Sequence, residues 1–208
     1  MRRHFKPYEK HEEEAILAQA KKGLRSRMRA LRGAIPEASR QQRSEALVAR
    51  VRELERYASA RTIAAFMAIH GEVDLTSLRR AAAAEGKTVA LPRVDLASGD
   101  LLLHDAPEEE LEMGAYGIEE PREGARLVDP ETVDLVLVPA LVVDLDGYRV
   151  GYGKGYYDRL LPRAPRALAC AVVFDFQLVA EVPREAQDVP VDQVITDLQS
   201  VMTGAPPR

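Results

Sequence analysis

Thr62-Ile-Ala-Ala-Phe-Met-Ala-Ile69 is an apolar run that ends at His70-Gly71, and Thr88-Val-Ala-Leu-Pro-Arg93 is a second such run further on. Between them Leu75 to Ala84 is helical in pattern and Gly86 stops it. A strand, a crossover helix and a strand make a βαβ unit, which requires parallel pairing and a sheet covered by helices. Further along, Asp134-Leu-Val-Leu-Val-Pro139, Ala167–Phe174 and the short Val194-Ile195-Thr196 supply more strands, and Leu141-Val-Val143 extends the first of these. Tyr156–Leu161 starts a helix that Pro162 and Pro165 end. Alternating strands and helices predict one α/β domain: a largely parallel sheet with helices on both faces, in three Rossmann-like layers.

Outward from this core the pattern changes. Glu12-Glu13-Glu14 suits a helix start, and the first ten residues read as a mobile extension. From Lys21 to Arg32, Leu24, Met28 and Leu31 fall on one helical stripe among arginines, giving an amphipathic helix with a basic face. Pro36-Glu37 restarts the chain, and Ala46, Leu47, Val51 and Leu54 continue helically to about Tyr57. Asp95–Asp100 reads as a turn before Leu101-Leu-Leu-His104, a hairpin partner. The stretch 105–132, punctuated by Pro107, Gly114, Gly117, Pro121, Gly124 and Pro130, reads as loop with one acidic turn at Glu108–Glu112.

Bulk properties narrow the partners. With 208 residues the chain can bury a sizeable core as one domain, and its net charge of -4 speaks against a protein built to grip nucleic acid or anionic membrane. The single cysteine, Cys170, lies in a core strand and allows no intrachain disulfide, which fits a reducing cytoplasm. The start Met1-Arg-Arg-His-Phe-Lys-Pro-Tyr has no apolar segment of a signal peptide, and no run is long enough to span a membrane. A soluble cytoplasmic protein is expected, with a monomer the simplest assembly.

The chemistry concentrates in Arg149-Val-Gly151-Tyr152-Gly153-Lys154-Gly155-Tyr156-Tyr157-Asp158. Glycines let a backbone approach a ligand closely, two cations suit phosphate, aromatic rings suit a flat ligand and a carboxylate suits a metal. The block is not a Walker loop, because Tyr148 stands where the first glycine belongs and Gly155 follows the lysine. Nor is it the dinucleotide Gly-x-Gly-x-x-Gly. It does lie after a core strand and before a helix, where α/β sheets bind ligands and where amides cradle phosphate. Asp158, about one turn into the helix, is placed to hold a Mg²⁺ that bridges phosphate oxygens. The bland alternative is a glycine-rich turn with a solvated lysine.

The stretch Gly147-Tyr-Arg149-Val-Gly151-Tyr-Gly153-Lys-Gly155-Tyr-Tyr-Asp158 resembles the signature of the 5-formyltetrahydrofolate cyclo-ligase family, and the likeness extends from Lys21 to Thr196. It implies a fold like that of the NagB and RpiA enzymes and a division into an N-terminal extension (1–20), a cyclo-ligase domain (21–200) and a tail (201–208). The family's Lys-x-x-Leu-Arg element is matched by Lys21-Lys22-Gly23-Leu24-Arg25, which implies ATP contacts for Lys21 and Arg25. The two are four apart and share one helical face. Met67-Ala-Ile-His-Gly71-Glu72 matches the element in which a glutamate contacts the pterin, so Glu72 is the implied folate carboxylate and Met67 a pocket residue. A carboxylate suits a pterin, whose adjacent N–H donors can bond both oxygens. His70 reads as structural.

Gly117-Ile118-Glu119-Glu120-Pro121, with Tyr116 before it, resembles a cleft element of undefined role, and Val189-Pro190-Val-Asp192 matches the region that supplies a second metal carboxylate, Asp192, with Asp188 and Asp197 close by. Departures from the family pattern at Pro139-Ala140 and Val142-Val143-Asp144 bear on pocket shape. The resemblance implies conversion of 5-formyltetrahydrofolate to 5,10-methenyltetrahydrofolate with ATP and Mg²⁺ as cofactors. Arg149, Gly151, Tyr152, Gly153, Lys154, Gly155, Tyr156 and Tyr157 are expected on the nucleotide, with Arg149 and Lys154 catalytic. Tyr152 to Tyr156 would also border the folate. Two other classes fit parts of the inventory: a sugar-phosphate or acyl-transfer enzyme of similar layout, and a non-catalytic RNA- or folate-binding module built on the basic helix.

Overall fold

The computed structural model describes residues 10–114 and 117–204. Residues 1–9 of the expected extension (1–20) therefore fall outside the described residues, as do Tyr116 and the end of the tail, while residues 10–20 are helical. Helices are α1 (Lys10–Gly33), α2 (Glu37–Arg52), α3 (Glu55–Ser59), α4 (Thr76–Ala84) and α5 (Tyr156–Leu160). Strands are β1 (Thr62–Ala64), β2 (Thr88–Val94), β3 (Leu101–Asp105), β4 (Leu111–Met113), β5 (Glu119–Pro121), β6 (Arg126–Val128) and β7 (Leu135–Val138). Then come β8 (Val142–Asp144), β9 (Arg149–Val150), β10 (Leu168–Val172), β11 (Leu178–Val179), β12 (Gln193–Ile195) and β13 (Ser200–Met202).

The main sheet has eight strands in the order β13-β12-β10-β7-β1-β2-β3-β6. Its centre, β12-β10-β7-β1-β2, is parallel throughout, and both edges are antiparallel. The expected βαβ unit is β1-α4-β2, in register from Thr62 opposite Thr88. Chain direction across the sheet reverses between β1 and β7: connections from β1 run one way to β2, and those from β7 run the other way to β10 and β12. Such a switch point leaves a crevice at the carboxyl ends of the two strands, because their following loops diverge to opposite faces.

Period-two alternation explains the two faces. In β7, Leu135 and Leu137 pack with Leu47, Val51 and Leu78 of α2 and α4, while Val136 and Val138 pack with Leu160 and Leu161 on the other side. Cys170 is fully buried on the first face, as a core strand residue should be. A small side sheet, β11-β8-β9, carries a third cluster in which Met28 of α1 meets Leu141, Val142 and Val150.

Three expectations change. The helix at 21–32 is the second half of α1, which runs without a break from Lys10, and the inward positions are Lys21, Met28 and Arg32, not Leu31. Leu31 is 45 % exposed while Arg32 is fully buried, because Arg32 lies four residues after Met28 and has polar partners inside. The stretch 105–132 contains β4, β5 and β6, which close a hairpin and extend the sheet edge. Finally, β13 follows the strand read as the last.

The β8–β9 turn shows how tightly the glycine block is based. Buried Asp144 accepts from Asp146 N and Tyr148 N through Oδ1 and from Val182 N and Arg184 through Oδ2. At Gly147, φ is +86° and an added Cβ would lie 2.3 Å from Val191 O. Gly147→Ala is expected to destabilise the fold by about 3 kcal/mol or more, since both the dihedral and the contact oppose a side chain. A chemical-denaturation midpoint within experimental error of the parent would contradict this packing.

Candidate active site

A cavity of about 760 Å³ opens at the switch point. Phe66, Met67, His70 and Glu72 reach it from the segment after β1, Pro139 from the end of β7, and Lys21 and Arg25 from α1. Gly151 to Arg159 form a continuous wall, and Glu185, Gln187 and Asp188 close it from the loop before β12. Ile118, Glu119 and Glu120 of the cleft element also line it. Every site residue expected from sequence is brought together here except Asp192.

Asp192 is placed elsewhere. Its Oδ2 accepts from Ala169 N at 2.7 Å and its own N–H donates to Ala169 O, so it clasps the start of β10. The carboxylate that does face the cavity is Asp188, four residues earlier. Proximity in sequence concealed the difference, since the chain turns between them. Glu185, which joins Asp188, carried no sequence signal beyond its spacing of three residues.

The glycines act individually. Gly153 has φ +96°, and a Cβ there would lie 3.3 Å from the Arg25 guanidinium. Gly155 has φ +65° and begins α5. Gly151 has neither constraint, but its carbonyl accepts from Arg25 Nε at 2.9 Å. Lys154 projects from the crest, exposed, with no ion pair to any described residue. Its carbonyl is held by Arg159, whose guanidinium also binds Asp100 at 2.7 Å and thus ties the block to the β2–β3 turn.

Charges along the wall are paired. Lys21 Nζ, nearly buried, donates to Glu185 at 2.5 Å and to Asp188 Oδ2 at 2.7 Å. Burial alone would lower its pKa, but the two carboxylates outweigh it and hold the amine above its ordinary value. Arg149 donates to Asp158 Oδ1 at 2.8 Å and to Val189 O. Burial draws its pKa down, opposed by Asp158, Tyr157 and Asp188. Burial also raises the phenol of Tyr157.

For a metal ion, the relevant oxygens are Asp158 Oδ2 and Asp188 Oδ1. Each lies on a carboxylate that lines the cavity, and neither accepts a hydrogen bond from a described residue. No group of three or more ligating side chains forms a cage among the described residues. Two carboxylates and no cage fit Mg²⁺, which keeps several waters and takes its remaining ligands from phosphates.

Glu72, in the same cavity lining, is 8 % exposed. Its Oε2 accepts from Ile69 N at 3.1 Å, and Oε1 is buried without a hydrogen-bond partner, 3.7 Å from Arg32. Burial pushes the carboxyl up to about 7, with Arg32, Ile69 N–H and Tyr152 opposing. Tyr152 OH accepts from Arg32, and burial with nearby Glu72 raises its pKa to about 12. A carboxylate in a cavity wall is suited to receive ligand N–H groups. Arg32 itself was missed by sequence reading, because an arginine in a basic helix reads as solvated.

No helix among the described residues is long and apolar enough to cross a membrane. The sequence model of the 5-formyltetrahydrofolate cyclo-ligase family matches residues 17–197. The 5-formyltetrahydrofolate cyclo-ligase of Escherichia coli strain K12 is 33% identical over 178 residues, covering 83% of this chain and 96% of that one. That of Mycolicibacterium smegmatis is 34% identical over 191 residues, covering 88% and 96%. In fold, the 5,10-methenyltetrahydrofolate synthetase of Aquifex aeolicus superposes with a TM-score of 0.79 at 36% identity, over 88% of this chain and 93% of that one. With the matched region spanning every sheet strand but β13, the glycine block and the cavity lining from Lys21 to Asp188, the chain belongs to the 5-formyltetrahydrofolate cyclo-ligase family.

Proposed function

We propose that the protein is a cytoplasmic enzyme that uses ATP and Mg²⁺ to close 5-formyltetrahydrofolate into 5,10-methenyltetrahydrofolate, releasing ADP and phosphate. The observation that carries the reading is one cavity lined both by a phosphate-type wall, Gly151 to Lys154, and by the buried Glu72 carboxylate. The nucleotide and the pterin must share one cavity for transfer between them.

The N5-formyl oxygen is an amide oxygen and a poor leaving group. It attacks the γ-phosphorus of ATP, ADP departs, and the formyl carbon becomes electrophilic. N10 attacks that carbon, loses its proton, and phosphate leaves with the former formyl oxygen. Phosphoryl transfer asks for alignment and charge stabilisation, not for a protein nucleophile. Lys154, on a loop held by Arg25 and Arg159, follows the charge of the transferred group; Lys21 and Arg149 line the same wall. Asp158 and Asp188 would hold Mg²⁺, which supplies charge neutralisation on the phosphates. Tyr152 and Tyr156 border both ligands, and Met67 is on the pterin side.

In this reading ADP release depends on the folate. Phosphate release from ATP at the same rate with and without 5-formyltetrahydrofolate would contradict it.

Glu72→Gln is expected to raise the folate KM about tenfold or more with ATP KM little changed, because a charged acceptor to ligand N–H groups is lost. The same variant has a stability signature. A carboxyl raised from 4.5 to about 7 binds its proton more tightly in the folded state, so stability falls as pH rises through that window. The glutamine variant should therefore be more stable than the parent at pH 8, by up to about 3 kcal/mol, and equal to it below the ordinary carboxylate range. Parallel stability curves across that range would contradict a burial-raised Glu72.

A further inference from the structure

Arg32 does not line the cavity, yet it is the largest fully buried side chain among the described residues. Its three nitrogens face two segments, the turn after β1 and the glycine block. Nε donates to His70 O at 3.0 Å, one terminal nitrogen donates to Tyr152 OH, and the other stands 3.7 Å from Glu72 Oε1 without a hydrogen bond. It leaves α1 eleven residues after Lys21 and seven after Arg25, the residues that the same helix gives to the cavity lining.

The turn that Arg32 holds is strained. His70 has φ +49°, the single positive φ of a non-glycine residue among the described residues, and Gly71 follows at +75°. Two successive left-handed residues cost free energy at the histidine and persist only where surroundings fix them. Their effect is to fold Glu72 back, so that its N–H meets Ile69 O at 3.0 Å and its carboxylate meets Ile69 N. The Arg32 bond to the His70 carbonyl clamps this turn at its apex.

Resting on the folate reading of the cavity, we propose that Arg32 is the positioning residue for substrate: it fixes Glu72 and Tyr152 together against the pterin and sets its own charge against the burial of the carboxylate. It acts through those two side chains, since it has no surface in the cavity. A lone buried guanidinium beside an unpaired carboxylate oxygen is a pair left open by less than an ångström beyond hydrogen-bond length, and ionisation of Glu72 draws the two together. Because the guanidinium is planar, its bonds to His70 O and Tyr152 OH also fix the third nitrogen, which is aimed at Glu72 Oε1.

The groups that face Glu72 set its protonation. They are Arg32 from α1, the Ile69 N–H of its own turn, Tyr152 from the glycine block and Tyr157 from α5, while the His70 ring stands against Tyr152. Across the neighbouring cavity behind the turn stand Arg40 of α2, Arg79 of α4 and Glu119 of β5. Arg32 is the cation nearest to the carboxylate, so its charge is the one whose loss moves the titration most.

The test is the pH profile of kcat/KM for 5-formyltetrahydrofolate, measured at saturating ATP for the parent, Arg32→Gln and Arg32→Lys, with direct folate binding in parallel. In the parent, the profile rises with pH as Glu72 ionises. Arg32→Gln is expected to shift that limb to higher pH by about one unit or more and to raise the folate KM about tenfold, with ATP KM within about twofold. Arg32→Lys, which keeps a charge but not the fork, should hold the limb near the parental pH with a smaller rise in KM. It also carries the test if the glutamine variant does not fold. An unmoved limb in Arg32→Gln, or equal loss of folate and ATP affinity, overturns the positioning role while leaving the folate reading of the cavity standing. A parent that binds no folate overturns the reading of the cavity and this role with it.

Discussion

Lys154→Ala is expected to lower folate-dependent ATP turnover about a hundredfold or more, with most of the loss in kcat, since one donor to developing charge is commonly worth about 3 kcal/mol. The expectation rests on how Lys154 is held. Its ammonium has no ion pair with a described residue, whereas Lys21 and Arg149 are already committed to carboxylates in the same wall. An exposed lysine is usually mobile, but here the backbone beneath it is fixed by Arg25 at Gly151 and by Arg159 at Lys154 itself. The loop therefore presents a free cation on a rigid base. Steady-state kinetics with both substrates varied separates the cases: a rise in ATP KM at unchanged kcat would make Lys154 a ground-state anchor and contradict its role in transfer.

The second large effect distinguishes two aspartates. Asp188→Asn is expected to reduce turnover about a hundredfold, because it removes one of two carboxylate charges available to Mg²⁺ and one of the partners of Lys21. Its Mg²⁺ requirement should move to higher concentration. Asp192→Asn should leave turnover within about threefold and instead lower thermal stability, since Asp192 holds Ala169 N at the start of β10. Titration of activity with Mg²⁺ and a melting curve on each variant give the answer. The reverse pattern, with Asp192→Asn inactive and Asp188→Asn near normal, would return the metal role to Asp192.

What could be read from sequence follows from where the physics is local. Ile63, Val136 and Val194 lie in short apolar runs whose burial needs no knowledge of partners, so the sheet centre and its parallel sense were legible. The glycine block was legible because Gly153 and Gly155 meet a backbone requirement that few residues fulfil. By contrast β4 and β5 contain Glu112, Glu119 and Glu120, and their pairing is set by contact between strands with no apolar alternation to announce it. Arg32 was hidden for a related reason. A charge is buried only when remote groups receive it, and those groups, His70 O, Tyr152 and Glu72, come from two distant segments. The Asp188 and Asp192 pair shows the same limit at short range: the two differ in direction, which sequence spacing does not encode.

The most direct measurement mixes the purified protein with 5-formyltetrahydrofolate, ATP and Mg²⁺ and follows the ultraviolet absorption of the methenyl product. The account predicts that the band grows with catalytic turnover, that omitting ATP abolishes it, and that ADP forms one for one with product. Product formed equally well without ATP, or ATP consumed with no methenyl band, would contradict it.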